Sequence, residues 1–372
     1  MKIAIEAQRI FRRNKHGMDF VVLEMIRQLQ QIDTENEYFI LTKSGDDECL
    51  SETPNFHIVR IDTPSYPLWE QWGLPRALRR IRPDVVHCTS NTAPLWGTHN
   101  LVLTLHDIIF LEKRDSGNKS LYQNMGWYYR RLVVPRILGK CSRIITVSDF
   151  ERQNIISKTG IPASQIQTVY NGFGTRFTRL ANYQPTVSKY IDAPQGYLFF
   201  LGNTDPKKNT KRVLQAYADY ARTAQSPLPL LVADLKAEIL EQYISELSLT
   251  DVGSLIRPSG YIDNSDLPAI YSGASAFIYT SLRESFGIPL LEAMACQTPV
   301  ISSSISAIPE IAADGALLVD PYSKEQITEA INRVLTDPAL ADSLRQKGLE
   351  RTRRFSWRHT AEDVLKIYNE LK

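Results

Sequence analysis

Cysteine is scarce in this sequence. Cys49, Cys88, Cys141 and Cys296 are the four in 372 residues, far apart and without metal-ligand spacing. That excludes a disulfide framework and a cysteine-bound zinc site, and leaves ordinary buried thiols. Long apolar runs are missing as well. The run after Met1 stops at Glu6, and no later stretch could serve as a signal peptide or span a bilayer, so a cytoplasmic protein is expected. No Asp-x-Asp pair or His/carboxylate cluster is placed to hold a divalent ion, and no Ser/His/Asp or Cys/His arrangement offers an activated nucleophile. Neither half carries G-x-G-x-x-G between its first strand and helix, which argues against a dinucleotide oxidoreductase. Net charge is only +2, and no nucleic-acid partner is expected.

What is present is enough apolar residue, 43%, for two cores. Split near Arg176, the first part holds 23 basic and 18 acidic residues and the second 20 and 23. A mildly basic first half would suit an acceptor bearing phosphate or a peripheral contact with an anionic membrane, although so small a difference is also common without either. Within it, Ser65 to Asp84 mixes aromatic and basic residues. Trp69 and Trp72 are expected to pack against the first sheet, with the border of a lipid-linked acceptor or bilayer as the alternative.

Short β-branched runs alternate with helical patterns in both halves, the mark of βαβ units and parallel sheets. In the first half strands are predicted at Lys2 to Ala7, Tyr38 to Thr42, Phe56 to Ile61, Asp84 to Thr89, Leu101 to Leu105, Arg143 to Val147 and Ile166 to Tyr170. In the second they are predicted at Tyr197 to Gly202, Leu228 to Ala233, Ser254 to Tyr261, Ala276 to Thr280, Pro299 to Ser303 and Ala316 to Val319. A helix over Met18 to Ile32 places Val22, Met25, Ile26 and Leu29 on one stripe. The stretch from Phe177 to Gly196, broken by Pro185 and Pro194, reads as an interdomain connection. The chain therefore divides into a first doubly wound domain over 1–180, a second over 195–352, and a final helix over about 356–372. That helix has Ser356 as N-cap and an apolar face of Trp357, Ala361, Val364, Tyr368 and Leu371. Two such domains would face a central cleft lined by the carboxyl ends of their strands, where open α/β folds bind ligands.

The informative residues fall at those ends. In RESFGIPLLEAMACQTPVI, Arg283 to Ile301, a loop carries Glu284 and Gly287 and a helix opens at Pro289, so amides around Phe286, Gly287 and Ile288 would offer a diphosphate site. Glu284 and Glu292 could act as a hydrolase pair, but spacing in sequence cannot establish that geometry. Acceptance of hydroxyl hydrogen bonds from a sugar is the preferred reading, against a solvated loop charge and an ordinary helix residue. In LGNTDPKKN, Leu201 to Asn209, Lys207 and Lys208 could stabilise a departing diphosphate, or form a solvated cationic turn that Asp205 shapes. At the end of the run 101–105, His106 and Asp107 follow Leu105; a strand-end histidine by itself is more often structural.

Glu284 to Val300 resembles the E-x7-E motif of the retaining glycosyltransferases called glycosyl transferases group 1, of the family 4 type, written E-G-F-G-x-P-x-x-E-A-M-A-x-G-x-P-V. Ser285 and Gln297 stand where that pattern has glycine. LGNTDPKKN resembles the family's G-x-x-x-P-R-K-N, with Lys207 in the arginine's place. VSDFERQNI, VYNGF, SGYIDNSDLPAIYSGA and FSW extend the resemblance over nearly the whole chain. It implies a GT-B fold and transfer of a hexose from a UDP- or GDP-sugar, with retention, to a glycan or lipid-linked acceptor in cell-surface polysaccharide or lipopolysaccharide assembly. By position it gives Glu284 the donor-sugar hydroxyls, Glu292 the ribose, Phe286 and Gly287 backbone near sugar and phosphates, and Lys208 the leaving diphosphate with Lys207 beside it. Tyr261 would border the base, His106 the donor sugar, and Gly17 would stand for the family's glycine loop. No metal or other cofactor is implied. A sugar-nucleotide epimerase of the same plan and a non-catalytic sugar-nucleotide-binding protein are the alternatives.

Overall fold

A computed structural model describes residues 1–112 and 121–372, excepting the side chains of 121–123. Seven strands form the first sheet: β1 Lys2–Glu6, β2 Glu37–Thr42, β3 Phe56–Arg60, β4 Val85–Cys88, β5 Leu101–Thr104, β6 Cys141–Thr146 and β7 Ile166–Thr168. Their order is β3-β2-β1-β4-β5-β6-β7, and every pairing is parallel. Six more form the second: β8 Leu198–Leu201, β9 Leu230–Ala233, β10 Ile256–Gly260, β11 Ala276–Tyr279, β12 Val300–Ser303 and β13 Leu317–Val319. These run β10-β9-β8-β11-β12-β13, again all parallel. Both are doubly wound sheets of the GT-B type. In each the strand order reverses beside the first strand, between β1 and β4 and between β8 and β11, which is where such sheets hold ligands.

The central strands form where they do because they are buried on both faces and so read as continuous apolar runs. β4, β5, β9, β11 and β12 have no residue that is not buried. Helix Gly17–Ile32 buries Val22, Met25, Ile26 and Leu29 in one core with Ile3, Ile5 and Tyr38. Pairing ends one or two residues short of several predicted strand ends, and those residues open the loops that carry the site.

Two compact units result, Met1–Gly172 with Ser356–Lys372, and Phe173–Phe355. Helix Trp357–Asn369 belongs to the first. Ser356 Oγ accepts from His359 N, and Ala361, Val364, Ile367 and Tyr368 join the core of β1 and β2. Tyr368 Oη lies 2.6 Å from Nδ1 of the fully buried His87 on β4, whose Nε2 is 2.7 Å from Thr104 Oγ1 on β5. The proline-broken stretch 177–196 lies within the second unit. Leu180 N donates to Ser272 Oγ, and Tyr190 Oη donates to Asp266 Oδ2.

Trp69 is fully buried and its indole N–H donates to Ile61 O, whereas Trp72 is 60% exposed, contrary to the expected packing of both. The two share a π-helical turn, Trp69–Gly73. With i→i+5 bonding a residue three positions on has not come back to the same face.

Candidate functional site

The second unit gathers its polar residues where β8 and β11 run side by side. After β8 the chain makes a tight turn at Pro206–Lys208. Asp205 caps it, its carboxylate accepting from Lys207 N at 3.1 Å, so Asp205 shapes the turn that carries both lysines. Asn209 follows with φ +61°, and its buried amide donates to Thr280 O after β11 and to Pro321 O after β13. Leu282 N donates to Lys207 O at 2.7 Å. The loops after β8 and β11 are thus stitched together by main-chain and amide bonds.

That stitching delivers Lys208 to Glu284. Nζ lies 2.8 Å from Oε1, with side chains 19% and 15% exposed, and Nζ also sits 5.1 Å from the centroid of the Tyr279 ring. Ser306 holds the glutamate's backbone from both sides, accepting from Glu284 N at 2.8 Å and donating to Glu284 O at 2.5 Å. Burial would raise the Glu284 carboxyl, but the ammonium of Lys208, its hydrogen bond, and that of Ser281 together hold it below the usual range. The site therefore contains a largely desolvated ion pair whose carboxylate keeps its charge.

Glu292 is different. It lies on helix Ile288–Ala295, and burial pushes its carboxyl up to about 7, against the opposing pull of Arg176 and the Tyr271 hydroxyl. Two carboxyls of one motif thus occupy unlike environments: one is paired with a cation and ionised, the other poised to titrate near neutrality. Gly287 caps the same helix at φ +104°, and a Cβ there would approach Ile308 Cδ1 to 3.0 Å. The positive φ favours glycine there, and the close approach adds to it. The helix begins at Ile288, so Pro289 is its second residue and not its first. Phe286 is buried, its ring edge-on to Phe355 at 5.7 Å.

Lys207 does not share the Lys208 pair; its ammonium is 3.6 Å from Asp205 and its side chain is 42% exposed. Tyr261, just past β10, is 72% exposed. His106 and Gly17 are in the first unit. His106 is buried after β5, its N–H donating to Asn91 Oδ1 and its Nε2 donating to Thr89 O at 3.0 Å. Burial keeps that ring neutral, outweighing the Thr89 bond and the nearby Asp107 and Asp19. Gly17 opens helix Gly17–Ile32 with nothing within 4 Å of where a Cβ would stand.

Sequence reasoning missed Asn209, Tyr279 and Ser306. Asn209 closes LGNTDPKKN and carried a signal in its asparagine, a residue that tolerates φ above zero. Tyr279 reads as one more aromatic in a buried strand, and Ser306 lies outside every motif.

Known proteins resemble this chain. The family model for Glycosyl transferases group 1 matches residues 188–351, and that for Glycosyltransferase Family 4 matches residues 16–177. A relative in Escherichia coli, O-antigen chain mannosyltransferase B, is 31% identical over 314 residues, covering 82% of this chain and 78% of its own. Among solved structures, sucrose-phosphate synthase from Thermosynechococcus elongatus superimposes with TM-score 0.78 at 20% identity, over 100% of this chain and 98% of that one. Anabaena HepE, solved in complex with UDP-glucose, gives 0.74 at 16% identity over 100% of both chains.

Proposed function

The chain belongs to the glycosyl transferases group 1 family and is a glycosyltransferase, and from that premise we propose that it moves a hexose, mannose first among candidates, from a nucleotide-diphosphate sugar to a growing cell-surface glycan or its lipid-linked precursor. The observation that carries the reading is the Lys208–Glu284 pair at the reversal point of the second sheet. Mannose is favoured by the name of the E. coli relative, and a nucleotide-diphosphate donor by the ligand of Anabaena HepE.

In this reading the acceptor hydroxyl attacks the anomeric carbon on the face from which the diphosphate departs. The new glycosidic bond forms as the old one breaks, the hydroxyl proton passes to a phosphate oxygen, and the configuration is retained. Negative charge grows on the leaving diphosphate, and Lys208 answers it without a metal ion. Glu284, ionised and fixed by Ser306, accepts from donor-sugar hydroxyls, while Glu292 accepts from the ribose. Lys207, Phe286, Gly287 and Tyr261 complete the donor contacts; His106 and Gly17 are assigned to the donor by the resemblance alone.

The test is a screen of GDP-mannose and UDP-hexoses with glycan and lipid-linked acceptors, the product anomer being read by NMR. A disaccharide linkage with the donor's own anomeric configuration supports the proposal. An inverted product overturns retention. An isomerised nucleotide sugar formed without acceptor would make the chain an epimerase, and tight donor binding without turnover would make it a binding protein.

A further inference from the structure

Three neighbouring segments of the first unit present apolar side chains to solvent. Tyr66–Leu68, the turn Trp69–Gly73 and helix Leu74–Ile81 run in series. The loop 95–97 is tied to them, Leu95 N donating to Gln71 Oε1 at 2.9 Å, and helix Leu121–Ile137 joins where Gln71 Nε2 donates to Tyr129 Oη at 2.8 Å. Lys140, just past that helix, donates back to Leu95 O. Beside these pinned contacts Trp72 is 60% exposed, Trp96 57%, Met125 69% and Tyr128 63%. Met125, Tyr128 and the exposed Leu132 follow helical spacing, so they form one stripe.

The charge around them is mostly of one sign. Residues 66–82 and 124–140 contain eight Arg or Lys and a single acidic residue, Glu70. Glu70 is buried and occupied by hydrogen bonds from Tyr66, Gln71, Thr92 and Tyr129, so it projects no charge outward. Arg76 stacks on Trp72 at 5.5 Å, and with Arg60 and Arg80 it lines an open groove of about 240 Å³, in which Asp62 accepts from Ser44 and Arg60 is paired with Glu48, leaving Arg76 and Arg80 in excess. Exposed tryptophan and tyrosine among arginines that outnumber the carboxylates match the layered chemistry of a bilayer surface.

We propose that the first unit docks on an anionic lipid bilayer through this surface, its aromatic side chains entering the headgroup region and its arginines meeting lipid phosphates. None of these residues is a donor contact, so the proposal stands or falls apart from the transfer reading.

The full chain is sedimented with phosphatidylcholine vesicles with and without phosphatidylglycerol, and its tryptophan fluorescence is followed with brominated lipid. Binding to the anionic vesicles, weakened by salt, is expected, with quenching. Arg76→Gln with Arg80→Gln should weaken partitioning about twenty-five-fold, at about fivefold for each arginine. Trp72→Ser with Trp96→Ser should remove most of the quenching, with melting temperatures unchanged because both rings are exposed. Absence of quenching in the unmodified chain, equal binding to neutral vesicles, or unaltered binding by both double variants overturns the proposal. So does concentration-dependent self-association without vesicle binding, which would give the face to a second copy of the chain.

Discussion

Lys208 Nζ stands 2.8 Å from Glu284 Oε1, so the cation assigned to the leaving diphosphate and the carboxylate assigned to the sugar form one unit. Removing either leaves the other largely desolvated and without its ion-pair partner. Lys208→Met should destabilise the protein by about 3 kcal/mol, and Lys208→Met with Glu284→Gln should recover a good part of it. Urea titrations of the two singles and the double measure this; strictly additive losses would show that the pair is not coupled. In turnover, Lys208→Met should lower kcat more than donor affinity, because diphosphate charge grows in the transition state.

Donor affinity should follow the ionisation of Glu292. Its carboxyl stands at about 7 in the folded protein, above its usual value, so it is mostly protonated at pH 6 and mostly ionised at pH 8. A ribose hydroxyl needs the ionised form, and binding should tighten about tenfold over that interval. Glu292→Gln should bind more weakly by roughly 1.5 to 3 kcal/mol and lose the dependence. Calorimetry at several pH values decides, and a flat profile in the unmodified protein would remove Glu292 from the ribose.

Gln297 has φ +56° where the resembling motif has glycine, a left-handed conformation that a side chain disfavours. Gln297→Gly keeps both main-chain bonds, from Gln297 N to Met294 O and from Arg179 to Gln297 O. It should stabilise the second unit by about 0.5 to 1 kcal/mol after the entropy of the freer unfolded chain is counted. Thermal melts, with Gln297→Ala as the neutral control, test it.

Acid should attack the first unit through His87. Burial holds that ring down to about 3, well below its unfolded value, so stability is complete above about pH 6.5 and declines as pH falls toward 3. Tyr368→Phe should cost about 1 to 3 kcal/mol even at neutral pH, since a buried ring nitrogen loses its partner. Denaturation of the two proteins from pH 8 to pH 4 gives both numbers, and an unchanged neutral-pH stability would count against the Tyr368 bond.

If Lys208 and the helix that opens after Gly287 supply the positive charge, as proposed, turnover with the correct donor and acceptor should persist in excess EDTA. Loss of activity, restored by magnesium or manganese and not by salt, would overturn the assignment of Lys208 to the leaving group.

Much of the fold is legible because parallel strands buried on both faces leave unmistakable apolar runs; β9 reads LLVA and β11 reads AFIY. The motif around Glu284 is legible for another reason: local backbone needs, such as glycine at φ +104° in Gly287, leave local traces. What does not show is juxtaposition. Lys208 and Glu284 are 76 residues apart, and the pairing of β8 with β11 and the bonds from Asn209 and Leu282 bring their loops together. Nor does composition reveal that Trp69 turns inward while Trp72 stays out, since that depends on the local helix type.

The route of the chain sets an order of events during synthesis. The first unit is interrupted after Gly172 and resumes at Ser356, so everything from Phe173 to Phe355 leaves the ribosome before helix Trp357–Asn369 exists. The second unit can mature as one continuous piece. Until then the first keeps the apolar patch around Val22 and Ile26 open and His87 without its tyrosine, and in that interval it is a natural client for chaperones.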